Sequence, residues 1–375
     1  MQKNEGVKMK GQTVQADYFW KKKEIVSFLL SVLVFWIHIS AFSPYLSGDD
    51  AVAVFNGKLS FFFKESVTRF AVPMYFILSG MVFFRDYSNK KYLSKIRSRF
   101  FTLVIPYLIW NTLCMLFDIV CSYTFISSFL SGRERFELSV VNILDGIFLH
   151  GSNIPFWYIL YLIVLVLLSP LLDLLVRNKY VGMISVIVLT ALTLFRFGPQ
   201  YGFHDEAIVF YLLGALLGKH YFGFFTQKTG KGSGIASAAF LFIYILLKNL
   251  FPVNEYFALP AVRIIVFSLA AYALWCVMDL FTERLTPRPI YGRSFPIFAM
   301  HTNISAIIYK ICYLILPKNR YMALPNFLAT TILTILAINV FCIVFERFLP
   351  SAYALFMGKG IKKSQNKRKE TKTNV

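Results

Sequence analysis

An all-α, polytopic integral membrane protein is the fold class this sequence predicts, on three observations. Hydrophobic residues make up 57% of the 375 positions and charged residues only 15%, where a soluble domain carries about 25% charged residues. Mean hydropathy is +0.60. Long apolar runs recur along the whole chain, separated by short polar segments in which the basic residues gather.

Ten runs are suited to crossing a bilayer, because about 20 helical residues at 1.5 Å each span the hydrocarbon core. They are 25–43, 66–84, 101–125, 155–176, 181–197, 206–219, 234–251, 259–281, 294–316 and 325–346. An even number places both termini on one side. Of the 39 Lys and Arg residues, 28 lie in the opening segment, in the 85–99, 177–180, 219–233 and 282–293 loops, and in the tail. Under the positive-inside rule those segments and both termini are cytoplasmic. Residues 1–20 read as a polar N-terminal segment, with Met1 to Asp17 expected to be disordered. Residues 21–348 read as the membrane domain, and 349–375 as a basic tail able to meet anionic lipid. The polar opening and the lack of an A-x-A-like site predict an uncleaved start.

Composition also excludes function classes. The formal charge of +20 belongs to loops between apolar runs, so it points to a bilayer surface and not to nucleic acid. Cys114, Cys121, Cys276, Cys312 and Cys342 all fall in apolar runs, which gives neither a disulfide framework nor metal-ligand spacing. No repeat of 20–50 residues and no phosphate-binding GxxxxGK[ST] stretch is present. Neither a metal site nor a bound cofactor is expected.

The first run, IVSFLLSVLVFWIHISAF, follows Lys21, Lys22 and Lys23 and holds His38 about 20 Å along the axis from Ile25. His38 falls within about 20° of both Ser27 and Ser31 on the helix wheel. An intramembrane imidazole is a functional-site hypothesis by default; its plainer reading is a packing hydrogen bond to a neighbouring helix. The 44–65 stretch reads as an external loop. In the second run Arg69, Pro73, Phe76 and Gly80 share a face, and Pro73 should kink the helix or sit in its first turn. The 85–99 loop serves topology, or docks an anionic donor or lipid headgroup. The third run carries Pro106, Trp110 and Asn111. Trp157 and Tyr158 at the next boundary are belt aromatics or a substrate-stacking surface. Arg196, His204, Asp205 and Glu206 form a mixed external cluster without metal-site spacing. Gly and Ser between 229 and 237 read as a flexible internal linker. Arg263 opens the eighth run much as Arg69 opens the second. The ninth begins GRSFPIFAMHTNIS, where Ser294, His301 and Ser305 share one face beside Arg293.

Taken together, VFWIHIS, RFAVPMYFILSG, RFFTLVIPYLIWN, IPFWYILYLIVLVLLSPLL and YGRSFPIFAMHT stand in the order and spacing of one family. Over roughly 20–348 the chain resembles the acyltransferase 3 family of bacterial integral-membrane acyltransferases. The resemblance implies transfer of an acyl group, commonly acetyl from acetyl-CoA, onto hydroxyls of cell-surface glycans or lipid-linked sugars, in the bacterial cytoplasmic membrane. It implies His38 as the catalytic candidate. Members often carry an Arg eleven residues before that histidine; here the place is Ser27, with Lys23 one turn earlier. Many relatives append an extracytoplasmic esterase-like domain, and this chain resembles the stand-alone members.

O-acylation needs a base for the hydroxyl proton and a cation or hydrogen-bond donors for the developing oxyanion. A neutral imidazole suits the first task. The expected assignment is His38 as general base, with Arg69 or Arg263 approaching it to stabilise charge or orient the acceptor. Arg293, Ser294 and His301 would line the passage of an acyl-CoA donor. The competing readings are snorkelling to the interface for Arg69 and Arg263 and a helix–helix hydrogen bond for His301. The rival function class is a transporter or flippase for a lipid-linked oligosaccharide or acylated metabolite; no internal inverted repeat of the transporter kind is seen.

Overall fold

Apolar runs in hydrocarbon must satisfy their own backbone, and a helix does so within one segment. All secondary structure among the described residues is accordingly helical, with no strand. The computed structural model describes residues 2–48, 50–124, 135–149, 151–195, 206–251, 259–317 and 319–359, with the backbone alone over 2–14. Arg196, His204, Asp205 and the tail beyond Lys359 lie outside the described residues.

In chain order the helices are α1 (Gln2–His38), α2 (Ala51–Phe61), α3 (Ala71–Phe84), α4 (Tyr92–Arg99), α5 (Ile105–Tyr123), α6 (Val140–Phe148), α7 (Trp157–Leu167) and α8 (Ser169–Val176). There follow α9 (Lys179–Leu192), α10 (Ala207–His220), α11 (Phe222–Thr226), α12 (Lys231–Leu250), α13 (Pro260–Met278), α14 (Ser294–Ile315), α15 (Ala323–Phe348) and α16 (Pro350–Phe356). Among the described residues six helical stretches are long and apolar enough to cross a membrane: Ala51–Phe84, Asn89–Tyr123, Lys231–Leu250, Pro260–Met278, Pro289–Ile315 and Arg320–Phe348. Counting the broken pair on either side of Leu168 as one span makes seven. The expected runs at 181–197 and 206–219 are helices too, but shorter ones.

Four local expectations are corrected. The opening segment is helical from Gln2 and continuous with the apolar run, because extending a helix already held by packing is far cheaper than nucleating one. The run expected over 25–43 is helical only to His38. The expected 44–65 loop is mostly helix: Asp50 caps α2 by accepting from the Ala53 N–H at 2.8 Å, and a π turn, Phe62–Ser66, leads toward α3. The Gly/Ser linker is the first part of α12, where a side chain at Gly234 would meet Leu280. Gly234 there serves close packing, while a side chain at Gly230 or Gly232 would meet open space. Pro73 sits in the first turn of α3, where a missing N–H costs nothing.

The chain divides into two units. The first comprises Met1–Val34, Lys64–Lys90 and Leu168–Ser294. Its centre is α3 against α10, where backbones meet directly: a Cβ on Gly80 would strike the Tyr211 carbonyl, and one on Gly214 or Gly218 would strike the Ile77 or Met81 carbonyl. Small residues that let helix backbones approach are a main source of helix association in lipid, where no hydrophobic drive exists between helices. The second unit comprises Phe35–Phe63, Lys91–Leu167 and Phe295–Val375. Its core gathers Phe35, Ile39, Phe42, Tyr45 and Phe327, with Trp36 and Phe63 packed on them.

In the first unit, α1 is tied down by a charge. Lys22 is fully buried, lies 4.2 Å from the Trp275 ring centroid, and pairs with Asp279 at 2.5 Å. Asp279 follows the last residue of α13 and also accepts from the Tyr18 hydroxyl, the Thr229 N–H and the Thr229 hydroxyl. Burial pushes the Lys22 ammonium below its usual range. Burial alone would raise the Asp279 carboxyl, yet hydrogen bonds from Lys22, Tyr18 and Thr229 hold it below the usual carboxylate range. Asp279→Asn leaves the buried ammonium without its anion and should cost about 3–5 kcal/mol, whereas the Lys22→Met/Asp279→Leu pair should recover most of it. Thermal unfolding in detergent checks this; equal melting of Asp279→Asn and the parent would show that the pair does not anchor α1.

Candidate functional site

His38 is the last residue of α1 and is half-buried. Ile25 to His38 advances about 20 Å, short of the roughly 30 Å hydrocarbon thickness. The chain then leaves the helix, makes the single 3₁₀ turn Ser43–Tyr45, and carries Ile39, Ala41, Phe42 and Tyr45 as buried residues. Non-helical backbone at such depth persists only where protein satisfies it. Here Asn326 of α15 donates its side-chain N–H to the Ala41 carbonyl at 3.2 Å, and Asn56 of α2 donates to the carbonyls of Tyr45 at 3.2 Å and Arg320 at 3.0 Å. The interruption places an imidazole at the carbonyl end of a helix, where the backbone dipole favours positive charge.

His301, on α14 in the same unit, packs against this ring with centroids 5.5 Å apart and planes tilted by 44°. Phe35 lies 5.6 Å and Phe298 6.3 Å from His301. Phe156 stacks on Phe298 at 5.5 Å and on Tyr107 at 5.9 Å, so an aromatic wall backs the pair. Trp157 opens α7 half-buried, edge-on to Tyr161 at 5.8 Å. Asn303, two residues past His301, donates to the Cys114 sulfur at 3.2 Å.

The first unit holds a separate group of charges. Arg69 donates from Nε and from a terminal nitrogen to the two Glu65 oxygens, one turn before it. Arg263 donates from Nε to buried Glu206 at 2.8 Å. Lys248, buried near the end of α12, donates to the Glu65 carbonyl at 2.7 Å and interacts electrostatically with Arg69, Glu65 and Arg263. Each guanidinium thus carries a carboxylate, so its free field is smaller than a bare cation's. Arg293 closes the 3₁₀ turn Pro289–Arg293 and is buried, and Ser294 is the first residue of α14. Both belong to the first unit, with Arg69 and Arg263; His38, His301 and Trp157 belong to the second.

The first unit also contains a 470 Å³ apolar cavity, lined among others by Met74, Met81, Leu213, Tyr221, Phe225 and Trp275. Its lining carries no Asp, Glu, Lys, Arg or His and suits hydrocarbon. Among the described residues no three His, Cys, Asp or Glu side chains are grouped to hold a metal.

Sequence reading passed over Lys248, Glu65 and Asn326, took Lys22 only as part of a lysine triplet, and placed Glu206 in an external cluster, whereas it is buried against Arg263. Lys248 carried a usable signal, as a lone ammonium within an apolar run. Lys22 did not, because it is one of three consecutive lysines and only the helix phase selects it for burial.

Asn326→Leu removes the donor to the Ala41 carbonyl and should cost about 1–3 kcal/mol. The expected outcome is a melting temperature several degrees lower in detergent, and an unchanged one would show that the break after His38 does not rely on this bond.

Compared with known families, residues 26–346 match the family model Acyl_transf_3, described as an acyltransferase domain. No curated protein and no solved structure matches the chain at a significant level.

Proposed function

From the acyltransferase 3 family, to which this chain belongs, we propose that it is a membrane O-acyltransferase using an acyl-CoA donor, with acetyl-CoA as the first candidate. The acceptor class proposed is a hydroxyl of a cell-surface polysaccharide or lipid-linked glycan, and the site of action the bacterial cytoplasmic membrane. Ten crossings with both termini cytoplasmic remain the topology proposed from the charge pattern.

One observation carries the residue assignment: a half-buried imidazole stands at the end of a broken helix, with protein-satisfied backbone beyond it. Broken helices in membranes expose backbone only where it lines a protein site. In the proposed reaction His38 takes the acceptor hydroxyl proton as the oxygen attacks the thioester carbonyl carbon. The carbonyl electrons move to oxygen and return as the C–S bond breaks. The departing CoA sulfur then receives the proton held on His38. The positive charge carried meanwhile by the ring is favoured by the helix dipole. Oxyanion stabilisation must come from groups that strengthen their contact in the transition state.

Arg69, Arg263 and Lys248 are proposed to bind anionic or hydroxyl-rich parts of a substrate, with Glu65 and Glu206 holding the guanidinia in place. Trp157 is proposed as a stacking surface for a sugar, and Arg293 and Ser294 as contacts for the donor. Transport of a glycan or acylated metabolite is the rival activity, and purified protein decides between them: acyl transfer from labelled acetyl-CoA needs no gradient or second compartment.

His38→Ala should abolish acyl transfer, a loss of at least about 100-fold, at unchanged protein abundance. The measurement is glycan O-acetylation in cells together with turnover of labelled acetyl-CoA by purified protein. Retained transfer would refute the base assignment.

A further inference from the structure

His301 lies on α14 with its Nδ1 2.9 Å from the Phe298 carbonyl oxygen and 3.1 Å from that of Ile297. Carbonyl oxygens only accept, so Nδ1 carries the ring hydrogen, and in the neutral ring Nε2 carries a lone pair. The side chain is 0% exposed, and Nε2 has no hydrogen-bond partner among the described residues. A buried acceptor is left bare only rarely, and each instance calls for a reason. Of the rings packed on it, Phe35 and Phe298 have no polar hydrogen to offer, whereas His38, at 5.5 Å between centroids, has one.

We propose that His301 is a positioning residue for His38: its Nε2 accepts the N–H of the His38 ring and thereby selects the tautomer whose opposite nitrogen is unprotonated and can take the acceptor hydroxyl's proton. The reaction coupling rests on His38 being the base; the contact between the rings does not. During turnover the proton from the hydroxyl binds the unprotonated nitrogen of His38, and the existing N–H stays on His38 and points at His301. No proton need leave the pair sideways, and the one gained is the one delivered to the CoA sulfur. Bonds of this kind are often long without substrate and tighten when the reacting groups are seated. The backbone clamp on Nδ1 makes the device directional. It holds His301 in one tautomer and one rotamer, as the orienting third member does in a catalytic triad.

The test uses full-length protein in bilayers, with histidine labelled in ¹⁵N, and the variants His301→Phe and His301→Gln. His301→Phe keeps an aromatic ring in an aromatic pocket but has no acceptor. His301→Gln keeps an acceptor near the Nε2 position. The expected result is that parent protein shows His38 in one tautomer and His301→Phe shows it in a mixture. In the same variants His301→Phe should lower kcat about 10- to 100-fold with KM little changed, and His301→Gln should restore most of it. Equal losses in both variants at equal melting temperature, or full kcat in His301→Phe, would overturn the proposal. If His301→Phe does not fold, a mixed His38 tautomer in the parent overturns it and a single tautomer supports it. Retained activity in His38→Ala would instead defeat the base assignment, while the tautomer measurement still decides whether His301 orients that ring.

Discussion

Backbone that leaves a helix in an apolar setting must find hydrogen bonds from the protein, and the stretch after His38 meets that demand. Asn326 and Asn56 supply the side-chain donors, and the aromatic cluster of Phe35, Phe42, Phe63 and Phe327 encloses them. With those carbonyls satisfied, α1 ends at His38. Because α1 ends there, an imidazole occupies a helix terminus, facing the second unit's other buried imidazole. The resemblance had already implied His38 as the catalytic candidate, and this arrangement adds a helix terminus that favours positive charge on its ring.

Charge in a low-dielectric setting obeys a parallel rule: it persists when paired. Lys22 has Asp279, Arg263 has Glu206, Arg69 has Glu65, and Lys219 has Asp173. Three of these carboxylates, at Asp173, Glu206 and Asp279, are nearly sealed from solvent. An acidic residue in a chain so rich in bases is therefore informative, since each anion in an apolar setting has a cation to hold. His301 is the contrast. Its ring is equally buried, yet Nε2 has no partner among the described residues, so its functional reading rests on an open acceptor and not on a paired charge.

The first unit shows how helices are drawn together without a hydrophobic drive. Gly80, Gly214 and Gly218 bring the backbones of α3 and α10 into contact, and the resulting dispersion contacts replace those with lipid chains. Beside this close seam, larger side chains on α10 and α13 leave the apolar cavity. Tight and loose packing thus alternate along one helix according to side-chain size.

Much was legible from the chain alone. Apolar run length and the scarcity of charge determined an all-helical membrane protein, because hydrocarbon admits little else. The grouping of Lys and Arg determined the expected sidedness, and the late YGRSFPIFAMHT together with VFWIHIS indicated the family that the match over 26–346 shows. Where α1 stops was not legible: Ser40, Ser43 and Pro44 only thin the apolar run, and the donor to the Ala41 carbonyl, Asn326, lies far along the chain. Nor was the choice of Lys22 over Lys21 and Lys23, which helix phase and Asp279 make together. The pairing of Arg69 with Glu65, and the bare nitrogen of His301, likewise depend on rotamers and neighbours. Composition sets what a segment must bury; only packing between distant segments decides which polar atom is satisfied and which is left for chemistry.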